Sequence, residues 1–308
     1  MKNILVIGSF MTDLVFKTER IPVEGETSIG SSYNKFTGGK GANQAVAAAR
    51  LNGNVKMMGK LGNDDFGKEH IASLQAEGIG HQAVLFDPEA STGVGNVTID
   101  QNGNNRIIVV PGANMKLSIK DIDRFEDVIM QSNIVVLQLE IPIETVYRAI
   151  ELAHKHNKTI ILNPAPAQEI DSDMANKVDY FIPNETEASI LTNTEVNNLD
   201  DAKEASKILL NQGYKNVILT LGDKGVLFRN TSELNYLEAF KMKAIDTTAA
   251  GDSFIGSFAY GLANNWNVTK AIKLAIAASA ITVTRLGAQP SLPTLQEINE
   301  LMKQPIHA

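Results

Sequence analysis

A compact group of small and acidic residues occupies Asp246–Phe254, which reads Asp-Thr-Thr-Ala-Ala-Gly-Asp-Ser-Phe. Ala249, Ala250 and Gly251 have little or no side chain, so a ligand can approach their backbone closely. A predicted helix begins here, and the unpaired N–H groups of a first helical turn bind anions. Asp252 lies beside that anion site, where a carboxylate can take a proton from a hydroxyl that attacks a phosphoryl group. An ordinary helix N-cap is the alternative, because Asp and Ser are favoured there.

A second glycine cluster, Gly38-Gly-Lys-Gly-Ala-Asn43, precedes the strongly helix-forming segment Gln44–Arg50. It is not a Walker A loop, which has Ser or Thr after Gly-Lys, and the end of the first strand contains no G-x-G-x-x-G. The glycines admit a ligand to the backbone, and the polar side chains add hydrogen-bonding groups. The cluster therefore predicts a loop that holds hydroxyl groups. Its candidate substrate contacts are Gly39, Lys40, Gly41, Ala42 and Asn43.

The composition indicates a soluble globular protein with a sizeable core. The chain has 308 residues, of which 44% are hydrophobic and 20% charged, and its net charge is −7. That charge argues against nonspecific nucleic-acid binding, and the absence of cysteine excludes disulfides and thiolate metal sites. With no signal-peptide layout and no apolar run of membrane-spanning length, we expect a cytoplasmic protein without a membrane partner.

Continuous apolar runs alternate with helical patterns along the chain, which predicts a three-layer α/β/α sandwich with a mainly parallel sheet. Ligands bind such sheets at the carboxyl ends of the strands. The predicted strands are Ile4–Ile7, Val55–Met58, Ile134–Leu139, Thr159–Leu162, Tyr180–Pro183 and Val217–Leu221. The predicted helices are Gln44–Leu51, Gly67–Glu77, Ile143–His156, Asp200–Gln212, Ala250–Ala263 and Val268–Val283.

Two segments, Asp13–Phe36 and Gly93–Val110, interrupt this alternation with β-type stretches. In the second, Asn102-Gly103 is flanked by apolar strand-forming residues, which is a strong hairpin signal. Because both segments adjoin proposed substrate loops, we expect a small sheet that covers the substrate as a lid. An edge extension of the main sheet is the alternative.

These motifs resemble the ribokinase family of sugar kinases. Gly38–Asn43 and Asp246–Phe254 are similar to its two signature regions, and Asn163-Pro-Ala-Pro166, Asn184-Glu-Thr-Glu187 and Gly287-Ala-Gln289 follow in the order that ribokinases show. The similarity extends from the first strand to about residue 293. It implies one ribokinase-like kinase domain over residues 1–308, with a discontinuous lid formed by about 13–36 and 93–110. It also implies ATP, Mg²⁺ and K⁺ as cofactors, a pentose substrate, and a homodimer that pairs through the lid.

The resemblance also assigns nucleotide and metal contacts. Asn184 and Glu187 match a motif that influences Mg²⁺ and phosphate handling, although their spacing also fits a helix capping box. Ile276 occupies an adenine-contacting position where ribokinases often carry His, so one polar partner is replaced by apolar contact. A further nucleotide-lining turn is Thr220, Leu221, Gly222, Asp223, Lys224 and Gly225. The positions that match the family's monovalent-cation site are Asp246, Thr248, Thr282, Arg285, Gly287 and Ser291.

The segment after the first strand, Met11-Thr12-Asp13, departs from the ribokinase pattern Asn-x-Asp, in which both polar residues contact the sugar. Methionine offers only a weak acceptor, so a sugar hydroxyl buried against Met11 loses a partner, at a cost of roughly 1–3 kcal/mol. Met-x-Asp resembles the deoxyribokinase branch, which phosphorylates 2-deoxy-D-ribose, and we expect that sugar to be preferred. Alternatively, Met11 points away, and Asp13, Asn43 and Glu140, the family's acidic sugar contact, suffice for D-ribose.

The leading hypothesis is therefore an ATP-dependent kinase that acts on the 5-hydroxyl of a pentose. Other sugar, nucleoside or sugar-phosphate kinases of the same fold, and a catalytically silent sugar-binding protein, are the alternatives. An NAD-linked dehydrogenase is disfavoured by the missing dinucleotide fingerprint.

Overall fold

The computed structural model describes residues 1–303, and the last five residues of the predicted domain lie outside the described residues. The strands are β1 Asn3–Ile7, β2 Met11–Thr18, β3 Gly30–Gly38, β4 Asn54–Gly62, β5 Gly80–Asp87, β6 Val94–Ile99, β7 Asn105–Val110, β8 Ile134–Leu137, β9 Thr159–Leu162, β10 Tyr180–Phe181, β11 Val217–Thr220, β12 Gly225–Arg229 and β13 Leu234–Glu238. The α-helices are α1 Lys40–Arg50, α2 Asp65–Ala76, α3 Ile119–Arg124, α4 Glu126–Gln131, α5 Ile143–Lys155, α6 Ser172–Ala175, α7 Glu185–Thr192, α8 Leu199–Asn211, α9 Ala250–Ala263, α10 Val268–Thr282 and α11 Leu295–Met302.

The main sheet has nine strands in the order β13-β12-β11-β10-β9-β8-β1-β4-β5. Neighbouring strands from β5 to β11 run parallel, and β12 pairs antiparallel with both β11 and β13. Alternate residues of β1 enter different cores. Ile4 and Val6 pack with α1, α9 and α10, whereas Leu5 and Ile7 pack with α5 on the opposite face. The predicted three-layer α/β/α sandwich with a mainly parallel sheet is confirmed.

A separate four-stranded sheet has the order β3-β2-β6-β7. The β6–β7 hairpin pairs Val97 with Ile107, as the Asn-Gly signal predicts. This sheet extends further than the sequence pattern indicated, because β2 begins at Met11 and β3 ends at Gly38. Met11 and Gly38 pair with each other, so this end of the β2–β3 ribbon lies between the end of β1 and the start of α1. No helix within residues 1–303 combines the length and the apolar character needed to span a bilayer.

The prediction that α1 begins at Gln44 is wrong, because this helix begins at Lys40. Gly39 is its N-cap, with a φ of 90°, and a Cβ added there would lie 2.6 Å from the Met11 nitrogen. Only glycine tolerates both the left-handed backbone and this close approach. Lys40 to Asn43 consequently form the first turn of a helix instead of a loop.

Helices α1 and α9 pack closely where their small residues meet. A Cβ added at Gly256 of α9 would lie 2.4 Å from the carbonyl oxygen of Gln44, so the two backbones touch at this point. The contact brings the first turns of both helices together at the carboxyl ends of β1, β8 and β9. The strand predicted over Ile134–Leu139 ends at Leu137, which leaves Gln138 and Glu140 outside the sheet at the same edge.

Candidate active site

The carboxylate of Asp252 lies in the first turn of α9 and is only 8% exposed. Asn43 Nδ2 donates a hydrogen bond to its Oδ2 at 2.9 Å, and Gln44 Nε2 donates to its Oδ1 at 3.0 Å. Both donors come from the start of α1, which α1–α9 packing places beside Asp252. The two glycine-containing motifs of the sequence, more than 200 positions apart, thus form one site.

Burial raises the pKa of Asp252, while Lys40 and the amides of Asn43 and Gln44 oppose that rise. Burial acts to lower the pKa of Lys40, but the negative charges of Asp252, Glu140 and Glu187 leave it raised overall. Lys40 is therefore a fixed positive charge among carboxylates. A buried carboxylate with a raised pKa is a stronger proton acceptor, which suits a general base.

Two further acidic residues lie next to Asp252. Burial, with the charges of Glu140 and Asp252, raises the pKa of Asp13 to about 6. Glu140 Oε2 accepts hydrogen bonds from the Lys40 N–H at 3.1 Å and from the Ser9 hydroxyl. Asp13, Glu140 and Asp252 form an acidic group, which we call the polar recess, and their oxygens are acceptors of the kind that sugar hydroxyls require.

Met11 and Asp13 lie on one face of β2. A Cβ added at Gly95 of β6 would be 2.6 Å from Asp13 Oδ1 and 3.8 Å from Met11 Cγ, so both side chains lie over this glycine. Thr12 points to the opposite face, as strand alternation requires, and its hydroxyl lies 3.2 Å from His70 Nε2. Met11 thus belongs to the recess and Thr12 does not.

The structure separates the candidate contacts of the glycine cluster. Lys40 and Asn43 lie beside Asp252, and Gly39 positions the start of α1. Gly41 and Ala42 instead pack against the β1–β2 connection, where their N–H groups donate to Ser9. Ala42 is fully buried, so its side chain cannot touch a ligand.

A cleft of about 740 Å³ lies on the other side of Asp252. Its apolar wall includes Val226, Phe240, Phe254 and Ile276, and Gly251 of α9 also lines it. This volume and lining are typical of a small-ligand or nucleotide site. Of the predicted nucleotide contacts, those that line the cleft are Asn184, Thr220, Gly222, Asp223, Gly225, Gly251 and Ile276.

Three predicted nucleotide contacts do not line the cleft. Leu221 packs in the core with α8, and Lys224 forms an ion pair with Glu185. Glu187 lines a smaller cavity of about 190 Å³ together with Lys40 and Asp252. Gly251 borders both cavities, so the cleft opens onto the carboxylate of Asp252.

The first turn of α9 follows a left-handed residue, Ala249, with a φ of 61°. The Ala250 N–H donates to the Thr247 carbonyl at 3.2 Å, so this predicted anion donor is already engaged. The N–H groups of Gly251 and Asp252, at the second and third helical positions, have no partner within an α-helix. A Cβ added at Gly251 would meet nothing within 4 Å, which is consistent with an open approach for an anion.

Asn184 and Glu187 form the capping box that their spacing allowed. Asn184 Oδ1 accepts from the Glu187 N–H at 2.8 Å, and Glu187 Oε2 accepts from the Asn184 N–H at 2.9 Å. The box fixes Glu187 at the start of α7, next to the small cavity. No group of three or more Asp, Glu or His side chains within residues 1–303 is arranged to hold a metal ion.

The carboxylate of Asp246 ties together two of the loops predicted to hold a monovalent cation. It accepts from the N–H and hydroxyl of Thr248 and, at 2.9 Å, from the Gly287 N–H. The side chains of Thr282, Ser291 and Arg285 are engaged elsewhere, with Ser253, the Ala288 carbonyl and Glu297 respectively. Of the predicted ligands only Arg285 is excluded by its side chain, since a guanidinium cannot bind a cation; its main-chain carbonyl can still supply an oxygen ligand.

Sequence reasoning missed several residues of the site. Gln44 and Gln138 join the hydrogen bonding of Asp252, and Phe240 and Met242 line the cleft. Gln44 directly follows Asn43, which was a usable signal, but the cleft residues lie in an irregular segment without any pattern.

Residues 1–295 match the pfkB family of carbohydrate kinases. The chain belongs to this family. It is 42% identical to a deoxyribokinase of Salmonella typhi over 301 residues, covering 97% of this chain and 98% of the relative. The ribokinase structure of Thermotoga maritima superposes with a TM-score of 0.91 at 38% identity, covering 99% and 100% of the two chains. The Arabidopsis thaliana ribokinase complexed with ribose and ATP gives a TM-score of 0.91 at 30% identity, covering 99% of each chain.

The family assignment and the geometry agree. The protein is an ATP-dependent carbohydrate kinase. Its fold is that of the ribokinases, with the polar recess and the apolar cleft meeting at the first turn of α9.

Proposed function

We propose that the protein transfers the terminal phosphoryl group of ATP to the 5-hydroxyl of a pentose, with 2-deoxy-D-ribose preferred over D-ribose. The position of Asp252 carries this proposal, because its buried carboxylate lines the small cavity that adjoins the cleft at Gly251 and lies beside Asp13 and Glu140. The relatives named deoxyribokinase and ribokinase support a pentose as the acceptor.

In the proposed reaction, Asp252 accepts the proton of the 5-hydroxyl as the sugar oxygen forms a bond to the terminal phosphorus. The bond from that phosphorus to the bridging oxygen of ADP breaks, and the phosphorylated sugar and ADP leave. The N–H groups of Gly251 and Asp252 stabilise the negative charge on the transferred group. The positive charge of Lys40 offsets the repulsion between the transferred phosphoryl group and the surrounding carboxylates.

The cleft fits a nucleotide, with the base against Ile276 and the phosphates at Gly251. Mg²⁺ usually combines one or two carboxylates with phosphate oxygens, so Glu187 is the protein group that fits this role, directly or through water. Mg²⁺ would neutralise part of the negative charge of the phosphates. K⁺ would bind carbonyls of the loops that Asp246 holds together and would thereby stabilise the start of α9.

The preference for deoxyribose rests on Met11. Its side chain is 8% exposed and lies beside Asp13 over Gly95, so it faces the recess. A hydroxyl placed against it lacks a good partner, whereas a sugar without that hydroxyl gains apolar contact.

The test is a paired assay with ATP and Mg²⁺, with and without K⁺, that compares kcat/KM for 2-deoxy-D-ribose and D-ribose. We expect a higher value for deoxyribose and stimulation by K⁺. A higher value for ribose would show that Met11 does not replace the hydroxyl contact, and no ATP-dependent product from either sugar would refute the proposal.

We also propose that the small sheet acts as a lid and pairs two subunits. Its edge strand β7 is exposed along its whole length and carries four consecutive apolar residues, Ile107 to Val110. An exposed apolar edge strand is a template for pairing with another strand, and a second copy supplies one. Light scattering should show a dimer that Ile108→Lys converts to a monomer. A wild-type monomer at micromolar concentration would refute this assembly.

A further inference from the structure

The carboxylate of Asp252 is the end of a chain of buried side-chain amides. Gln44 Nε2 donates to Asp252 Oδ1 at 3.0 Å, and Gln138 Nε2 donates to Gln44 Oε1 at 2.7 Å. Both glutamines are fully buried. Neither one lines the cleft or the smaller cavity, so their effect on the reaction must pass through Asp252.

The direction of the Gln44 amide is fixed from both ends. Its Oε1 atom faces the NH₂ group of Gln138, and its NH₂ group faces Asp252 and, at 3.3 Å, Asn163 Oδ1. Asn163 is held in turn by a 3.0 Å hydrogen bond from its Nδ2 to the Ile182 carbonyl. Gln44 therefore presents a donor, and not an acceptor, to the base.

This arrangement leaves a polar atom unsatisfied. Within residues 1–303, Gln138 Oε1 is buried without a hydrogen-bond donor. A Cβ added at Gly8 would lie 1.9 Å from this oxygen, so the glycine makes room for it. Reversing the Gln138 amide would place its oxygen against Gln44 Oε1. The observed orientation therefore leaves one buried acceptor without a protein donor and keeps the Gln44 donor directed at Asp252.

We propose that Gln44 and Gln138 are positioning residues, which hold Asp252 ionised and in one orientation for proton transfer. The proposal rests on the proposed function, in which Asp252 is the general base. Gln44 acts directly on the carboxylate, and Gln138 acts through Gln44. The charged groups around Asp252 are Lys40 of α1, Asp13 of β2, Glu140 after β8 and Glu187 of α7.

The first test replaces Gln44 with methionine, which keeps the length of the side chain and removes the donor. Because the lost hydrogen bond favours the ionised form, the acid limb of the kcat–pH profile should move about 1 to 2 units toward higher pH. At neutral pH, kcat should fall about 10- to 100-fold, with KM for ATP unchanged. Gln138→Met should move the limb in the same direction by less.

The second test reverses the direction of the Gln44 amide. A carboxylate at position 138 has no donor, so Gln138→Glu should turn the Gln44 amide around and point its oxygen at Asp252. We expect a larger loss of kcat than in Gln138→Met. In the double variant Gln44→Met/Gln138→Glu, the charge at position 138 should cause little further loss, because no amide remains to be reversed. If Gln138→Glu lowers kcat as much in the Gln44→Met background as it does in the wild type, the introduced carboxylate acts by its charge alone. That result would overturn the proposal that Gln138 acts through Gln44.

Thr145→Val is the control, since the Thr145 hydroxyl is also fully buried but donates to the Leu117 carbonyl at 2.8 Å, outside the proposed site. It should lower the melting temperature without moving the limb. If Gln44→Met and Gln138→Met both fold and show the wild-type kcat–pH profile, the positioning role is refuted. That result is distinct from failure of the proposed function, in which Asp252→Asn itself would retain turnover.

Discussion

Replacing Asp13 with asparagine should make the empty protein more stable at neutral pH while weakening its action on sugar. Burial, Glu140 and Asp252 raise the pKa of Asp13 from 3.8 to about 6. At 1.36 kcal/mol per pKa unit, the ionised carboxylate destabilises the folded protein by about 3 kcal/mol. Asparagine has a similar shape and no charge, so the variant avoids this cost.

The sign of the pH dependence follows from the raised pKa. Between pH 3.8 and about 6 the folded protein retains a proton at Asp13 that the unfolded chain has lost, so this stabilising contribution disappears as the pH rises. The stability advantage of Asp13→Asn should therefore grow with pH. Between pH 5 and pH 8 the growth should be about 1.4 kcal/mol, and little should change at higher pH.

Urea denaturation at pH 5 and pH 8 measures this difference, with both proteins compared at each pH. Asp173→Asn, an exposed acid at the start of α6, is the control and should show no such growth. In parallel, the wild-type kcat/KM for sugar should decrease as the pH falls below about 6, because a protonated Asp13 accepts fewer hydrogen bonds from hydroxyls. If the stability advantage of the variant does not grow between pH 5 and pH 8, burial and the neighbouring carboxylates do not destabilise ionised Asp13 as the structure indicates.

Three further predictions address specificity, backbone geometry and the cation. Met11→Asn should raise the ratio of kcat/KM for D-ribose over deoxyribose by about 5- to 150-fold, in the paired sugar assay, and an unchanged ratio would place Met11 away from the sugar. Gly39→Ala should lower the free energy of unfolding by more than about 2 kcal/mol in urea, whereas Gly25→Ala, with a similar φ of 78° and open space around it, should cost about 1 kcal/mol. Asp246→Ala should abolish the stimulation by K⁺, so that the rates with and without K⁺ become equal. If K⁺ still stimulates the variant, the cation does not bind at these loops.

The architecture was predictable because it depends on local patterns. Buried parallel strands such as β1 and β8 appear as continuous apolar runs, and α9 was predicted over the residues it occupies. The start of α1 was not predictable, since three glycines in four residues favour a loop until the tertiary contact of Gly39 with Met11 is known. At this position tertiary packing overrides the low helix propensity of glycine.

The sequence predicts which segments reach the candidate site, but it does not predict which side chains of those segments point into it. Thr12 and Ala42 adjoin Asp13 and Asn43 in sequence, yet strand alternation and helix packing turn them away. The contact between Gln138 and Gln44 joins positions far apart in sequence and depends on how α1 lies against the end of β8. No local spacing in the sequence encodes such a contact.

The substitution Asp252→Asn decides whether Asp252 is the base of a pentose kinase. Asparagine keeps the shape and cannot accept the proton, so ATP-dependent formation of phosphorylated deoxyribose should fall by about 10²- to 10⁴-fold or more. Calorimetry should show that the variant still binds the sugar, because Asp13, Glu140 and Asn43 remain. Turnover at the wild-type rate in Asp252→Asn would show that Asp252 does not accept the proton.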